Sequence, residues 1–307
     1  MPSRQSEAVR DYWRSATEAA RKDPNQTPEE VRERVEKYWP ALTAEPGRLD
    51  YLEVEVAGLP ALWAVPKGAA EDRVILSVHG GGGVSGSIYT HRKLFGHLAK
   101  ATGARALLTE YSSLPYPAPL DGTTAAYRWL LDQGAEAMHI AVAGDSLGGG
   151  LSIATMLRAR ELGLPTAAAL MLISPWVDMT VSNETFETNR KAEAFFYKEV
   201  VEALASLYLA GTDPKDPLAS PLYANLSGLP STCIQVGGDE TLLGESLQLE
   251  QNARNAGVDI QAEVFPGQQH TFQMAAGYAP ESDDAIRKLA RWVRPKLGLT
   301  QPQTTGG

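Results

Sequence analysis

The sequence has little of several features that direct a chain to particular classes of protein. Its single cysteine, Cys233, allows no disulfide within the chain and lies in an apolar run that predicts a buried strand. No apolar run approaches the roughly 18 residues of a membrane span, and the first residues lack the apolar core of a signal peptide. Acidic residues outnumber basic ones, 37 to 28, which argues against nucleic acid or an anionic membrane as the main partner. We therefore expect a cytoplasmic protein.

What the sequence does contain indicates an α/β domain with additions. Apolar residues make up 43% and charged residues 21% of the chain, as in a globular protein. After residue 49, short apolar runs alternate with amphipathic stretches. Strands are predicted at 50–56, 61–65, 73–78, 104–110, 138–143, 167–173, 232–236 and 259–265. Helices are predicted at 90–101, 120–132, 147–161, 197–210, 244–256 and 283–296. Several strands are almost wholly apolar, which favours a mostly parallel sheet covered on both faces.

Two segments stand apart from this alternation. Residues 1–45 carry two predicted helices, the second opened by the capping sequence Thr27-Pro28-Glu29-Glu30. Residues 177–229 form a long insertion between predicted strands, and an insertion that leaves the carboxyl end of a strand can cover the site there. We interpret both as cap elements on a catalytic domain of residues 46–298. The polar tail, 299–307, is predicted to be disordered.

The chemistry is first indicated by Gly144-Asp145-Ser146-Leu147-Gly148, a G-x-S-x-G sequence between a predicted strand and a predicted helix. In this context the serine lies on a strained turn, and its hydroxyl projects at the N-terminus of a helix, where developing negative charge is favoured. The alternative is a glycine-rich turn with an incidental serine. We predict that Ser146 is a nucleophile and interpret Asp145 as a residue that braces the loop.

A second glycine run, His79-Gly80-Gly81-Gly82-Gly83, follows an earlier predicted strand. Unobstructed backbone N–H groups can stabilise the anionic oxygen of a tetrahedral intermediate. We predict Gly81, Gly82 and Leu147 as the donors of this oxyanion hole. A phosphate-binding loop is the alternative, but neither its glycine spacing nor its lysine is present. His79 is expected to shape the loop through a hydrogen bond.

The remaining catalytic residues are expected in the order Ser, acid, His. Asp239 and His270 each follow a predicted strand, and we predict them as the acid and the base. Glu240 is the rival acid, rejected because its neighbouring position in the turn points it elsewhere. Surface or structural roles are predicted for the other histidines, His91, His97 and His139.

Together these motifs resemble the hormone-sensitive lipase family of bacterial esterases, over roughly residues 50–295. The matching sequences are His79-Gly80-Gly81-Gly82, Gly144-Asp145-Ser146-Leu147-Gly148-Gly149, Ser174-Pro175-Trp176-Val177-Asp178, Asp239 with Leu242, and His270-Thr271-Phe272. Within the family the chain is similar to the monoterpene ε-lactone hydrolase and carboxylesterase group. The resemblance implies an α/β-hydrolase fold with a helical cap, no cofactor, no metal, and a homodimer.

The chain departs from the family pattern at two places. Gly83 replaces the usual aromatic residue after the glycines, and 110–117 is a shortened form of a segment that normally carries an arginine and a glutamate. We predict that Gly83 and Val84 line the substrate site and that both departures affect substrate preference.

The leading hypothesis is hydrolysis of small to medium carboxylic esters through an acyl-enzyme. A lactone hydrolase is the close alternative. A non-catalytic ligand-binding protein on the same fold is less favoured because the full triad is present, and a lipase acting at lipid interfaces because no exposed apolar lid is evident. An amidase is a further alternative, since the triad alone does not exclude a nitrogen leaving group.

Overall fold

The computed structural model describes residues 2–22, 27–111 and 115–301. In these ranges the chain forms an eight-stranded sheet with helices packed against it. The strands are β1 Leu49–Val56, β2 Leu59–Pro66, β3 Ala70–Val78, β4 Ala104–Thr109, β5 Ile140–Asp145, β6 Ala169–Ile173, β7 Ser231–Gly237 and β8 Ile260–Phe265. The helices are α1 Arg4–Lys22, α2 Pro28–Tyr38, α3 Ile88–Thr102, α4 Ala118–Asp132, α5 Leu147–Glu161, α6 Thr185–Thr188, α7 Lys198–Leu209, α8 Leu243–Asn255 and α9 Pro280–Val293.

The sheet is mostly parallel, as predicted. Its strand order is β1-β2-β4-β3-β5-β6-β7-β8, with β2 antiparallel to both β1 and β4 and every other pair parallel. The carboxyl ends of β3, β5, β7 and β8 therefore reach the same edge of the sheet. The loops that carry the predicted site residues all begin at this edge.

Apolar cores on both faces explain the composition of the central strands. Ile75 belongs to one buried cluster and Leu76 to the other, because successive side chains of β3 point to opposite faces of the sheet. Both side chains are fully buried. A strand with no solvated face favours apolar residues at almost every position, which is why these strands read as nearly continuous apolar runs.

The insertion after β6 contains α6 and α7 and packs against the N-terminal helices. Trp13 of α1 is almost fully buried, with its ring centroid 4.5 Å from that of Phe195 and 5.6 Å from that of Trp39. The predicted capping box is present, with Thr27 and Glu30 each bonded to the other's backbone N–H. The two segments thus contact one another, while the domain boundaries assigned from the sequence stay a prediction.

The predicted elements differ from the structure mainly at their ends. The strand predicted at 138–143 begins two residues later, at Ile140, because Ala137–His139 form a short 3-10 turn. The shortened segment 110–117 and the tail 299–307 both extend beyond the described residues, at 112–114 and 302–307. None of the helices in the described ranges combines the length and hydrophobicity that a bilayer crossing requires.

Candidate active site

Ser146 occupies the sharp turn that its motif predicts. It stands between the end of β5 and the start of α5, with φ 53° and ψ −123°, a backbone conformation that L-residues rarely adopt. The turn also needs a glycine two residues later, since a Cβ on Gly148 would lie 2.1 Å from the carbonyl oxygen of Val78. Helix α5 can therefore start directly against β3, and its N-terminus faces the Ser146 hydroxyl.

His270 lies in the loop after β8, beside Ser146. Its Nε2 is 3.0 Å from Ser146 Oγ, and its ring is almost fully buried. The next residue is held in place because the backbone N–H of Thr271 donates to Ser174 Oγ at 3.1 Å. The structure thus brings Ser146 and His270 together as the sequence predicts.

The carboxylate beside His270 belongs to Glu240, so the prediction of Asp239 is corrected. Glu240 Oε2 is 2.7 Å from His270 Nδ1, and Oε1 accepts a hydrogen bond from the N–H of Gly237 at 2.7 Å. Glu240 is fully buried, whereas Asp239 is only half-buried. The backbone N–H of Asp239 donates to Gln268 on the neighbouring loop at 3.1 Å. This pairing fixes the turn with Glu240, one residue further on, facing the imidazole.

Glycine shapes the predicted oxyanion loop. Gly81 has φ +114°, and a Cβ there would lie 2.0 Å from the carbonyl oxygen of Ser85. The Gly81 carbonyl accepts from the N–H groups of Val84 and Ser85, at 3.2 and 3.1 Å, which closes a tight turn. Within the described ranges no group accepts a hydrogen bond from the N–H of Gly81, Gly82 or Leu147. Three backbone donors are thus available to a ligand.

A buried charged network supports this loop from behind. His79 Nδ1 contacts the carbonyl oxygen of Gly80 at 2.8 Å, and its Nε2 contacts Glu110 Oε2 at 3.3 Å. Asp145 accepts from the N–H of Gly80 at 3.0 Å and lies 3.4 Å from His91 Nε2. His79 and Asp145 therefore have the loop-supporting roles predicted for them. Sequence reasoning did not find Glu110, which only the pairing of β3 with β4 brings to His79.

The charges of the site favour ionised pairs. Burial alone would lower the pKa of His270, but the hydrogen bond and charge of Glu240, aided by Glu193 and Asp145, outweigh it and raise that pKa. For His79, Glu110 likewise outweighs burial and raises the pKa of the imidazole. Burial would raise the pKa of Glu110, but His79 holds it below its usual value. Each member of the His79–Glu110 pair therefore stabilises the charged form of the other.

A cleft of about 230 Å³ adjoins the oxyanion loop. Its lining residues come from α2, the oxyanion loop and the end of β4: Arg32, Glu36, His79, Gly83, Val84, Ser85, Gly86, Ser87, Glu110 and Tyr111. The predicted substrate residues Gly83 and Val84 are thus at a cavity, although Ser146 is not among the lining residues.

The described part of the chain contains no cluster of three or more His, Cys, Asp or Glu side chains suited to a metal ion.

Comparisons with known proteins agree with this fold. A family model for the alpha/beta hydrolase fold matches residues 75–274. An acetyl-hydrolase from Streptomyces hygroscopicus is 35% identical over 289 residues, which cover 87% of this chain and 96% of the relative. An esterase from Acinetobacter venetianus is 33% identical over 229 residues, 73% of this chain and 76% of the relative.

A solved structure extends the similarity over almost the whole chain. It is an esterase from the bacterial hormone-sensitive lipase family, 40% identical, with a TM-score of 0.92 and coverage of 97% of this chain and 100% of that one. The chain belongs to the α/β-hydrolase fold family. It is an esterase of that superfamily, similar to the bacterial hormone-sensitive lipase group.

Proposed function

We propose that the protein hydrolyses carboxylic esters through an acyl-enzyme formed on Ser146, with His270 as general base and Glu240 as the orienting acid. The observation that carries this proposal is the continuous chain of contacts from Glu240 Oε2 through His270 to Ser146 Oγ, at 2.7 and 3.0 Å. Glu240 fixes the proton on Nδ1, which leaves the lone pair of Nε2 facing the serine hydroxyl.

The reaction takes two steps of the same kind. Ser146 Oγ attacks the ester carbonyl carbon while His270 takes its proton, and the anionic oxygen is bound by the N–H groups of Gly81, Gly82 and Leu147. Collapse of the intermediate breaks the bond to the alcohol oxygen, which leaves with the proton from His270. Water then attacks the acyl-enzyme by the same route, releasing the acid and restoring Ser146.

Small acyl groups are the favoured substrates. A Cβ on Gly82 would lie 2.9 Å from Leu204 Cδ1, so α7 of the insertion lies close over the oxyanion loop. One relative is named an acetyl-hydrolase, which supports the same preference. A lactone would use the same residues, with its alcohol still tethered to the acyl group. The homodimer and the cytoplasmic location stay predictions.

The test combines a substitution with covalent labelling. We expect Ser146→Ala to abolish hydrolysis of p-nitrophenyl acetate. Ser231→Ala should retain it, because Ser231 begins β7, at the end of that strand remote from Glu240. An organophosphate should modify a single peptide, the one containing Ser146, as detected by mass spectrometry. Hydrolysis by folded Ser146→Ala, or an adduct on another residue, would overturn the proposal. A panel of p-nitrophenyl esters of graded length and several lactones would then define the substrate class.

A further inference from the structure

The insertion contacts both loops that carry the acid and the base. Its segment 189–196 lies between α6 and α7, and we call it the clasp. Asn189 Nδ2 donates to the carbonyl oxygens of Gly238 and Glu240, at 3.1 and 2.9 Å. Glu193 Oε2 accepts from the N–H of Thr241 at 3.0 Å. The backbone on both sides of the Glu240 side chain is therefore bonded to the clasp.

The loop of the base is bonded to the same segment. Gln269, directly before His270, accepts from the N–H of Ala194 at 2.8 Å and donates to the carbonyl oxygen of Ala192 at 3.1 Å. Both clasp partners of Gln269 are backbone groups, so the contact does not depend on their side chains. The loops of Glu240 and His270 are thus both hydrogen-bonded to one segment that lies outside the central sheet.

Phe196, at the end of the clasp, lies face to face with His270. The two ring centroids are 4.8 Å apart and the planes differ by 1°. The ring of Trp176 meets Phe196 edge-on at 5.9 Å, and the Phe196 carbonyl accepts from Thr241 Oγ1 at 2.6 Å. Phe196 is buried, so both its ring and its backbone are fixed.

We propose that Phe196 is a positioning residue for His270, whose ring fixes the plane of the imidazole and stabilises the imidazolium that forms when Ser146 loses its proton. The face of an aromatic ring is negative and attracts a cation, whereas the neutral imidazole gains only a stacking contact. The benefit is therefore larger in the transition state than in the resting enzyme, and it increases kcat. This inference rests on the proposed function, because it assumes that His270 accepts the proton.

The contribution of the Phe196 ring is measured through the pKa of His270, which charged groups around His270 also affect. Glu240 follows β7, Glu193 belongs to the clasp, and Asp145 ends β5. All three favour the imidazolium, and burial opposes it. Leucine at position 196 is also apolar, so the substitution should still exclude water and leave these carboxylates in place. Only the face of the aromatic ring is lost.

We expect Phe196→Leu to lower the pKa of His270 by about 0.5 and kcat by about threefold to tenfold, with little change in KM. Phe196→Tyr keeps an aromatic face and should restore most of both. Phe195→Leu is the matched control: it removes a ring of the same size from the neighbouring position, where the ring packs on Phe196 and Trp13. It should lower Tm and leave the pKa of His270 unchanged.

The pKa is read by NMR titration of the imidazole, assigned by the signal that His270→Ala loses. A folded Phe196→Leu protein that titrates like the wild type would overturn the inference, as would an equal change in Phe195→Leu. If Phe196→Leu does not fold, failure of Phe196→Tyr to retain the wild-type pKa would overturn it. The titration needs no turnover, so it is independent of the Ser146→Ala result, which tests the proposed function by itself.

Discussion

The two sides of Ser146 are built from different parts of the chain. On one side the oxyanion donors are backbone N–H groups. Their loop closes only because Gly81 has no Cβ, since a Cβ there would lie 2.0 Å from the Ser85 carbonyl oxygen. On the other side Glu240 and His270 act through their side chains, and the clasp bonds to both of their loops. The oxyanion side therefore depends on the absence of side chains, and the acid–base side on contacts between residues far apart in sequence.

The largest effect should come from the acid. Glu240→Gln keeps an oxygen for the N–H of Gly237 but turns an amide NH₂ toward His270 Nδ1, which favours the wrong tautomer. We expect kcat to fall by about 10⁴-fold, by analogy with the Asp-to-Asn change in a serine protease triad. Asp239→Asn, one residue away, should stay near wild-type activity. Steady-state kinetics on p-nitrophenyl acetate would decide, and equal losses in both variants would contradict the assignment of Glu240.

This pair of residues also shows what could be predicted from the sequence. The order of strands and helices, the turn at Ser146 and the glycine loop follow from local patterns, because apolar periodicity and glycine spacing are properties of neighbouring residues. No local pattern distinguishes the adjacent carboxylates of Asp239 and Glu240. The bond from Asp239 N–H to Gln268 joins two loops, and it sets which carboxylate faces His270. Phe196 was out of reach for the same reason, since 74 positions separate it from His270.

On the oxyanion side, Gly81→Ala should lower kcat by about 10² to 10³-fold, the cost of one lost oxyanion donor. The added methyl group meets backbone at Ser85, which cannot rotate away, so the loop must open. Gly58→Ala is the matched control. Gly58 also has a positive φ, +80°, but nothing lies within 4 Å of its Cβ position. The Gly58→Ala control should lower Tm slightly and leave kcat unchanged. Similar kinetics for both variants would refute the steric argument.

The support of the oxyanion loop should give the enzyme an alkaline limit. Both nitrogens of His79 face acceptors, the Gly80 carbonyl and Glu110, so both contacts are hydrogen bonds only in the imidazolium. Because Glu110 raises the pKa of His79, the support is complete at low pH and is lost as pH rises through that raised pKa.

Glu110→Gln removes the charge and should move the alkaline limit of kcat to lower pH by about one unit. Glu53→Gln, which removes an exposed carboxylate bonded to Tyr89 on the surface, is the control and should leave the pH profile in place. If the alkaline limit is the same in Glu110→Gln and wild type, His79 does not act through its charge. The acid limit should be unaffected by either change, since it reports His270, whose neutral form is the base.

The smallest effect concerns the cleft beside the oxyanion loop. Gly83 has φ +78°, so a bulky residue there would strain the loop as well as fill the space. Val84 lines the same cleft with an ordinary backbone and is the better position for the test. The cleft holds about 230 Å³, so the extra ring atoms of Val84→Phe should take up part of its room.

If the cleft receives part of the substrate, Val84→Phe should lower kcat/KM a few-fold for branched or cyclic esters and leave acetate esters almost unchanged. Met138→Phe, at a site 62% exposed at the other end of the sheet, adds the same ring without touching the cleft. Equal losses on small and bulky esters would mean that the substitution merely disturbs the turn closed by the Val84 N–H. No loss on any ester would place the acyl and alcohol groups elsewhere, and the departure at Gly83 would then have no bearing on substrate preference.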